Sequence, residues 1–410
     1  MKLKFAPFWS DRFPRSRRPA FPRQRGQIDT QVVVIGGGLT GCACASAFAA
    51  ARLPVVLVEA DRIGSGATAG ALGLVREDFD VPFNSTVSAH GLRAARILWQ
   101  TTRRAGLELQ AALRRLHVRC DLLPRDLLHV AQPDRMATRD VRREYDSRRE
   151  AGLDHRWLSA AAVAREAAIE SGGGIRTRAA LLDPYRACIG LASSAADRGA
   201  AMFERSEVRR IRTARKHVEV HTSGGVVRAA TVVVATGAPI RDLRQLRRHL
   251  HPRHGYGVVT EPLPAGVRRQ VGQRRTTLRD MAVPPHFVRW LSDDRVLVAG
   301  ADQDPIPGRA RRQVLSQRAG QLMYELSLIY PAISGARAEW AWSYPFDDTV
   351  DGLPYIGTHR NFPRHLFALG LGRHGAGAAW LAARLLLRHL LEQPARGDDL
   401  FGFSRILSGR

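Results

Sequence analysis

Lysine is almost missing from this sequence: Lys2, Lys4 and Lys216 are the only three in 410 residues. The positive charge is therefore arginine. With 63 Lys+Arg against 38 Asp+Glu, the formal net charge is +25. Aromatic residues are also scarce, at 7%. A nucleic-acid surface gathers its cations on one face or stripe. Here the arginines run through every segment, which speaks against such a partner; a genome rich in G and C accounts for the Arg and Ala usage. Four cysteines are too few for a disulfide scaffold. Cys42 and Cys44 lie two apart on an expected helix and face different ways, while Cys120 and Cys188 are isolated, so all four read as small core residues. Long apolar runs are missing as well: Ala376 to Leu391 is broken by Arg384 and Arg388 and is too short to cross a bilayer. Ser16-Arg17-Arg18 is followed by Pro-Ala-Phe-Pro-Arg-Gln-Arg, not by an apolar core, so no secretory or transit peptide is expected and the expected location is cytoplasmic. No cysteine or carboxylate accompanies His249, His251 and His254, which read as a basic connector; no metal is expected.

Hydrophobic residues make up 45% of the chain, enough for two or three domains. Gln31 to Ile35 is a β-branched run that reads as a buried parallel strand. Thr40 to Arg52 is Ala-rich and helical, and Val55 to Val58 is a second buried strand. Between the first strand and the helix stands Gly36-x-Gly38-x-x-Gly41. Glycine there makes the tight turn, admits a pyrophosphate to the backbone, and lets helix and strand pack closely. The phosphates then meet the free N–H groups and positive dipole end of the helix. Glu59, about 20 residues on, stands where an acid takes the ribose hydroxyls.

An acid at that place admits NAD and FAD alike. Three features favour FAD. Gly64 to Gly73, GSGATAGALG, follows the second strand and lets backbone approach a flavin. Val232 to Gly237, VVVATG, is a buried strand ending in a small turn. Gly370-Leu-Gly372-Arg373-His374-Gly375 leads into a C-terminal helix whose positive end suits an anionic flavin edge.

With these motifs on the page, the chain resembles the D-amino-acid-oxidase-like family of FAD-dependent oxidoreductases, which includes glycine, sarcosine and γ-glutamylputrescine oxidases. The resemblance runs from about Phe21 to Leu391. It is carried by VVVIGGGLTGCACASAFA, VVLVEADRIGSGAT, LLDPYRACIGLASSAADRGA, TVVVATGAP, DGLPYIG and LGLGRHGAGAAWLAARLL. It implies an α/β fold in which a Rossmann-like, glutathione-reductase-like FAD-binding domain is interleaved with an antiparallel-sheet substrate domain. Residues 1–27 are expected as a basic, aromatic, extended arm laid over the body. The cofactor domain is expected from 28–116, 172–245 and 335–410, and the substrate domain from 117–171 and 246–334. Within the latter, Leu246 to Tyr330 reads as short strands and Pro-punctuated loops.

The same resemblance implies noncovalent FAD, with Gly36, Gly38, Leu39, Thr40 and Gly41 at the diphosphate and Glu59 and Ala60 at the ribose. Val208 offers its backbone to adenine, Ala67, Thr68 and Ala69 lie along the flavin, and Thr236 and Gly237 close over the dinucleotide. Gly372, Arg373, His374 and Gly375 meet the flavin's pyrimidine edge; Arg373 and His374 are the expected catalytic residues, Arg373 stabilising the charge that gathers on reduction. Tyr256, Phe287, Arg289 and Tyr344 are expected around the substrate.

The implied reaction is oxidation of a carbon–nitrogen bond in a small amine or amino acid by hydride transfer to flavin N5, with O2 or another electron acceptor. Positioning carries most of such catalysis, and no compact triad is present. One departure bears on the substrate. Amino-acid-oxidising relatives commonly place an arginine just before DG-x-P, where its fork binds the substrate carboxylate. Here that stretch reads Trp342-Ser343-Tyr344-Pro345-Phe346. An amine, an N-alkyl compound, or a carboxylate held elsewhere follows. Two alternatives stay open: a 2-hydroxy acid dehydrogenase of the same fold, and an RNA-modifying flavoprotein.

Overall fold

The computed structural model describes residues 3–373 and 375–405. Its centre is the β-branched strand Gly26–Ile35, whose Val32 to Ile35 are buried. Parallel neighbours flank it, Val55–Val58 on one side and Gly225–Gly237 on the other. Ala201–Phe203 extends the first side. On the second, Phe362–Leu369 pairs in parallel with the far half of Gly225–Gly237, and Val218–Thr222 pairs antiparallel with its near half. Among the described residues this sheet has eight strands.

Small side chains decide what covers it. Leu39–Ala50 is Ala-, Gly- and Cys-rich and buried almost all round, packed between Pro184–Ala196 and Gly375–Leu390. Cys42 and Cys188 meet at that contact with their sulfurs 3.6 Å apart. Cys188 is therefore not isolated, because two helices of small residues approach closely enough to bring the thiols together.

Among the described residues the second sheet has nine strands and is mostly antiparallel. Two of them, Gly174–Thr177 and Ala338–Asp348, come from segments expected in the cofactor domain. Ala338–Asp348 buries Trp340, Trp342, Tyr344 and Phe346, which alternate along the strand and so share one face, while Ala341 is buried on the other. The helix Arg311–Ile329 lies across this sheet, where only strands and loops were expected. Its buried Ala319, Leu322 and Leu326 have helical spacing, masked in the sequence by the prolines just before it.

The N-terminal arm is more than an extended strap. Lys4–Phe5 joins the nine-stranded sheet beside Trp340 and Ala341. Phe8–Arg12 is a short helix that buries Phe8 and Trp9, and the Trp9 indole donates to the carbonyl of Ala71 at 2.8 Å. Apolar rings on both sides of the chain give the arm a face to bury, and the turn of helix follows from that. No helix of the described residues is long and apolar enough to cross a membrane.

Candidate active site

Four adjacent parallel strands end on one edge of the eight-stranded sheet, and their exits are Gly36, Glu59, Gly237 and Gly370. This is the carboxyl edge where the order of connection reverses, the place where open α/β sheets bind ligands. The first exit is tightly built. A Cβ on Gly41 would lie 1.8 Å from the carbonyl oxygen of Gly36, so the helix starts against the turn that feeds it. Gly38 caps that helix with no side-chain bond, and its first N–H, on Leu39, is taken by the Thr68 hydroxyl at 2.9 Å.

Glu59 leans over the same turn. Its carboxylate accepts the N–H of Gly37 at 2.6 Å and of Asp61 at 2.9 Å, leaving acceptor sites for hydroxyls. Ala60 beside it is exposed. The backbone of Glu59 pairs with Phe203 and Ser206, which brings Val208, at the start of the next strand, to the same corner.

From the helix start, a crevice runs along Ala67, Thr68 and Leu72 to the wall made by Tyr344 and Phe346, and on to Gly372, Arg373 and Gly375. It gathers Leu39, Thr40, Ala67, Thr68, Gly237, Tyr344, Gly372, Arg373 and Gly375 from the expected set. Ala69 is buried behind it and Thr236 donates to Ala238 O at 2.5 Å. His374, expected here, lies outside the described residues. None of the four cysteines lines the crevice.

Arg373 is mostly buried, stacked on the Phe346 ring at 5.1 Å and ion-paired with Asp302. Burial works against its charge, but the carboxylates of Asp80, Asp302 and Asp348 outweigh that and raise its pKa. Burial also lifts Asp302 to about 6, with Arg373 opposing. Nε and Nη1 of Arg373 are buried with no hydrogen-bond partner among the described residues. These features suit FAD: a helix start whose N-cap, Gly38, supplies no side-chain bond, acceptors for ribose, a small-residue slot for a flat ring, and orphaned guanidinium donors at its far end.

Beyond the Gly370–Arg373 loop, and sharing Leu371, Gly372 and Arg373 with the crevice, is a second chamber of about 260 Å³. Charges of both signs line it: Arg76, Arg279, Asp78, Asp80 and Asp348. Arg76 donates to Asp78, Asp80 and the carbonyl of Phe79 at 2.6 to 2.8 Å. The fully buried His129 contacts Asp78 at 3.2 Å, and burial lowers its pKa to about 4.

Two expected substrate residues are elsewhere. Arg289 does share a strand face with Phe287, but its Nη1 donates to the carbonyls of Leu72, Gly73 and Leu182. It ties down the back of the flavin-side loop, because a buried guanidinium takes whatever carbonyls surround it. Tyr256 sits in the core under Arg311–Ile329, with its hydroxyl on Gln303 at 2.8 Å. Phe287 is buried among the guanidinium groups of Arg76, Arg279 and Arg373, at 5.7 to 6.0 Å from its ring. The chamber's charged residues went unread. The signal was Arg76-Glu77-Asp78-Phe79-Asp80, one cation followed by three carboxylates directly after a buried apolar run, which a solvated loop matches equally well.

Residues 31–388 match the family described as FAD dependent oxidoreductase, DAO. The chain is 27% identical to γ-glutamylputrescine oxidoreductase of Escherichia coli K12 over 383 residues, 91% of this chain and 86% of that protein. Glycine oxidase of Geobacillus kaustophilus is 27% identical over 392 residues, 91% of this chain and 96% of that one. The crystal structure of that glycine oxidase superposes with a TM-score of 0.74 at 21% identity, covering 92% of this chain and 99% of its own. L-proline dehydrogenase from P. horikoshii superposes at 0.76 with 18% identity, covering 94% and 99%. Both structures share the fold.

Proposed function

Because the chain belongs to the FAD dependent oxidoreductase family, and FAD is therefore its cofactor, we propose that it oxidises the carbon–nitrogen bond of a small amine or amino acid. The observation that carries this reading is the chamber of mixed charge beside the crevice, separated from it only by the Gly370–Arg373 loop. A chamber for an apolar substrate has no use for three guanidinium groups, those of Arg76, Arg279 and Arg373, and three carboxylates. An ammonium-bearing molecule meets Asp80 and Asp348 there. The relatives named for γ-glutamylputrescine, glycine and L-proline support the same class.

In this proposal Gly36, Gly38, Thr40 and Gly41 hold the diphosphate, Glu59 the ribose and Val208 the adenine. Ala67, Thr68 and Ala69 flank the ring system, held without a covalent tether. Bound FAD supplies the hydride acceptor, at N5. The protein's part is to orient the carbon that bears nitrogen and to exclude water. Arg373, kept charged by its carboxylates, offers its unpartnered donors where negative charge collects. Tyr344, whose phenol burial pushes upward, stays a neutral donor on the crevice wall.

The test is anaerobic mixing of the yellow holoenzyme with amines, N-methyl amino acids, D- and L-amino acids and 2-hydroxy acids. Bleaching of the flavin band by members of the nitrogen-bearing set is expected. Bleaching by hydroxy acids alone overturns the reading.

A further inference from the structure

The strand Ala338–Asp348 ends in two carboxylates that go to different places. Asp348 lines the chamber of mixed charge, where Arg373 and Arg253 act on it. Asp347 lines the crevice, and among the described residues it is the one acid that does. It is only 7% exposed, its Oδ2 is buried without a partner, and among the described residues the side chain has neither an ion pair nor a hydrogen bond. Burial and the like charge of Asp348 both lift it, to about 6. A lone buried carboxylate costs the apoprotein stability, and a ligand that donates to it removes that cost.

Its surroundings fix which part of a ligand it meets. Gly36, Gly237 and Gly370 are the exits of three strands that lie side by side. The first opens the turn given above to the diphosphate, and the last leads to Arg373 at the pyrimidine edge. Asp347 shares the crevice with the middle exit, Gly237, and with Leu371 and Gly372. Two residues on, the Thr349 methyl fills the space that a Cβ on Gly370 would take. Asp347 therefore stands between the helix start and Arg373. In FAD the ribityl chain joins the diphosphate to the ring, and its donors are uncharged hydroxyls. An ionised carboxylate is acceptor-only and takes several such bonds at once.

We propose that Asp347 is a cofactor-binding residue whose carboxylate accepts hydrogen bonds from the ribityl hydroxyls of FAD and so sets where the flavin ring stops along the crevice. This rests on the placement of FAD given above and is independent of the substrate's identity. A substrate ammonium would also satisfy a carboxylate, but Asp80 and Asp348 already stand in the chamber for that purpose, beyond the Gly370–Arg373 loop.

The test is calorimetric titration of full-length apoprotein with FAD and with its 2′-, 3′- and 4′-deoxyribityl analogues, for wild type, Asp347→Asn and Asp347→Ala. In wild type at least one analogue is expected to bind roughly 10- to 100-fold more weakly than FAD. That deficit should shrink in Asp347→Asn and vanish in Asp347→Ala. Thermal scans separate binding from a structural role. Asp347→Asn apoprotein should melt at or above wild type, because a lone buried charge is gone, while the gain in Tm on adding FAD should shrink. A lower apoprotein Tm with an unchanged gain from FAD makes the carboxylate a brace for the strand and overturns the proposal. Equal binding of FAD and every analogue by wild type overturns it even if neither variant folds. So does an unchanged FAD affinity in Asp347→Asn accompanied by a raised KM for an amine, which would turn the residue toward substrate. The placement of FAD fails separately: unaltered FAD affinity in Glu59→Gln would sink it, while the deoxy analogues still judge Asp347.

Discussion

The indole N–H of Trp342 donates to the carbonyl of Gly70 at 2.9 Å, joining the nine-stranded sheet to the loop that lines the cofactor crevice. The two surfaces touch without a gap: a Cβ on Gly70 would lie 2.7 Å from Cβ of Tyr344 and 3.0 Å from Cδ1 of Trp342. Gly70→Ala must push the strand from the loop and misplace Tyr344. Overpacking of this kind costs about 1–3 kcal/mol. The expected result is a lowered Tm and a protein that loses flavin on gel filtration, read as the ratio of visible to ultraviolet absorbance.

Arg289 provides a test of position against chemistry. With its Nη1 on the carbonyls of Leu72, Gly73 and Leu182 and its guanidinium over Trp9 at 4.9 Å, it braces the loop from behind. Arg289→Met removes the side-chain donor from the carbonyls of Leu72 and Leu182, while that of Gly73 still accepts the N–H of Leu182; the cost is about 1–3 kcal/mol. Stability and flavin retention should drop, while KM of the enzyme that still holds flavin stays close to wild type. A large KM change at unaltered Tm would return Arg289 to the substrate wall.

Glu59 is expected to matter through its charge. Glu59→Gln keeps the shape beside Gly37 and Asp61 but removes the anionic acceptor for sugar hydroxyls. Flavin affinity, measured by calorimetry on apoprotein, should weaken about tenfold or more, from loss of charge-assisted bonds. Far-ultraviolet circular dichroism should not change.

His129 predicts a pH dependence. Its folded pKa is depressed to about 4 by burial, against an ordinary value of 6.5. The neutral ring is therefore favoured in the folded state, so its contribution is complete above pH 6.5 and is lost as pH falls toward 4. The size is on the order of 3 kcal/mol. Asp302 and Asp347, both raised to about 6 by burial, have the opposite sign: their contribution is lost as pH rises from about 4 to 6. Comparing Tm of wild type and His129→Gln between pH 4 and 7 isolates the histidine. The difference should shift in favour of the variant toward pH 4; parallel curves would exclude the effect.

Much of the cofactor half was legible in the sequence because its demands are local. A phosphate-binding turn needs glycine at fixed intervals, a buried parallel strand needs a β-branched run, and Glu59 follows from the length of one helix and one strand. These constraints act within about thirty residues, so Gly36 to Gly41, Glu59 and Val232 to Gly237 could be read directly. The helix Arg311–Ile329 was equally local in spacing but was obscured by the prolines preceding it. The membership of Ala338–Asp348 in the nine-stranded sheet was not local, since strand pairing is chosen among distant partners.

The amino-acid sequence by itself determined the tight turn between the first strand and its helix, for the steric reason that no other residue than glycine leaves room at Gly41 beside the Gly36 carbonyl oxygen. Only the tertiary structure decided which charges meet. Arg289 and Arg279 are both arginines on neighbouring strands, yet one is bound to backbone carbonyls behind a loop and the other lines a chamber of mixed charge. What a buried charge does depends on which partners the fold brings within about 3 Å, and those partners come from segments separated by a hundred residues or more.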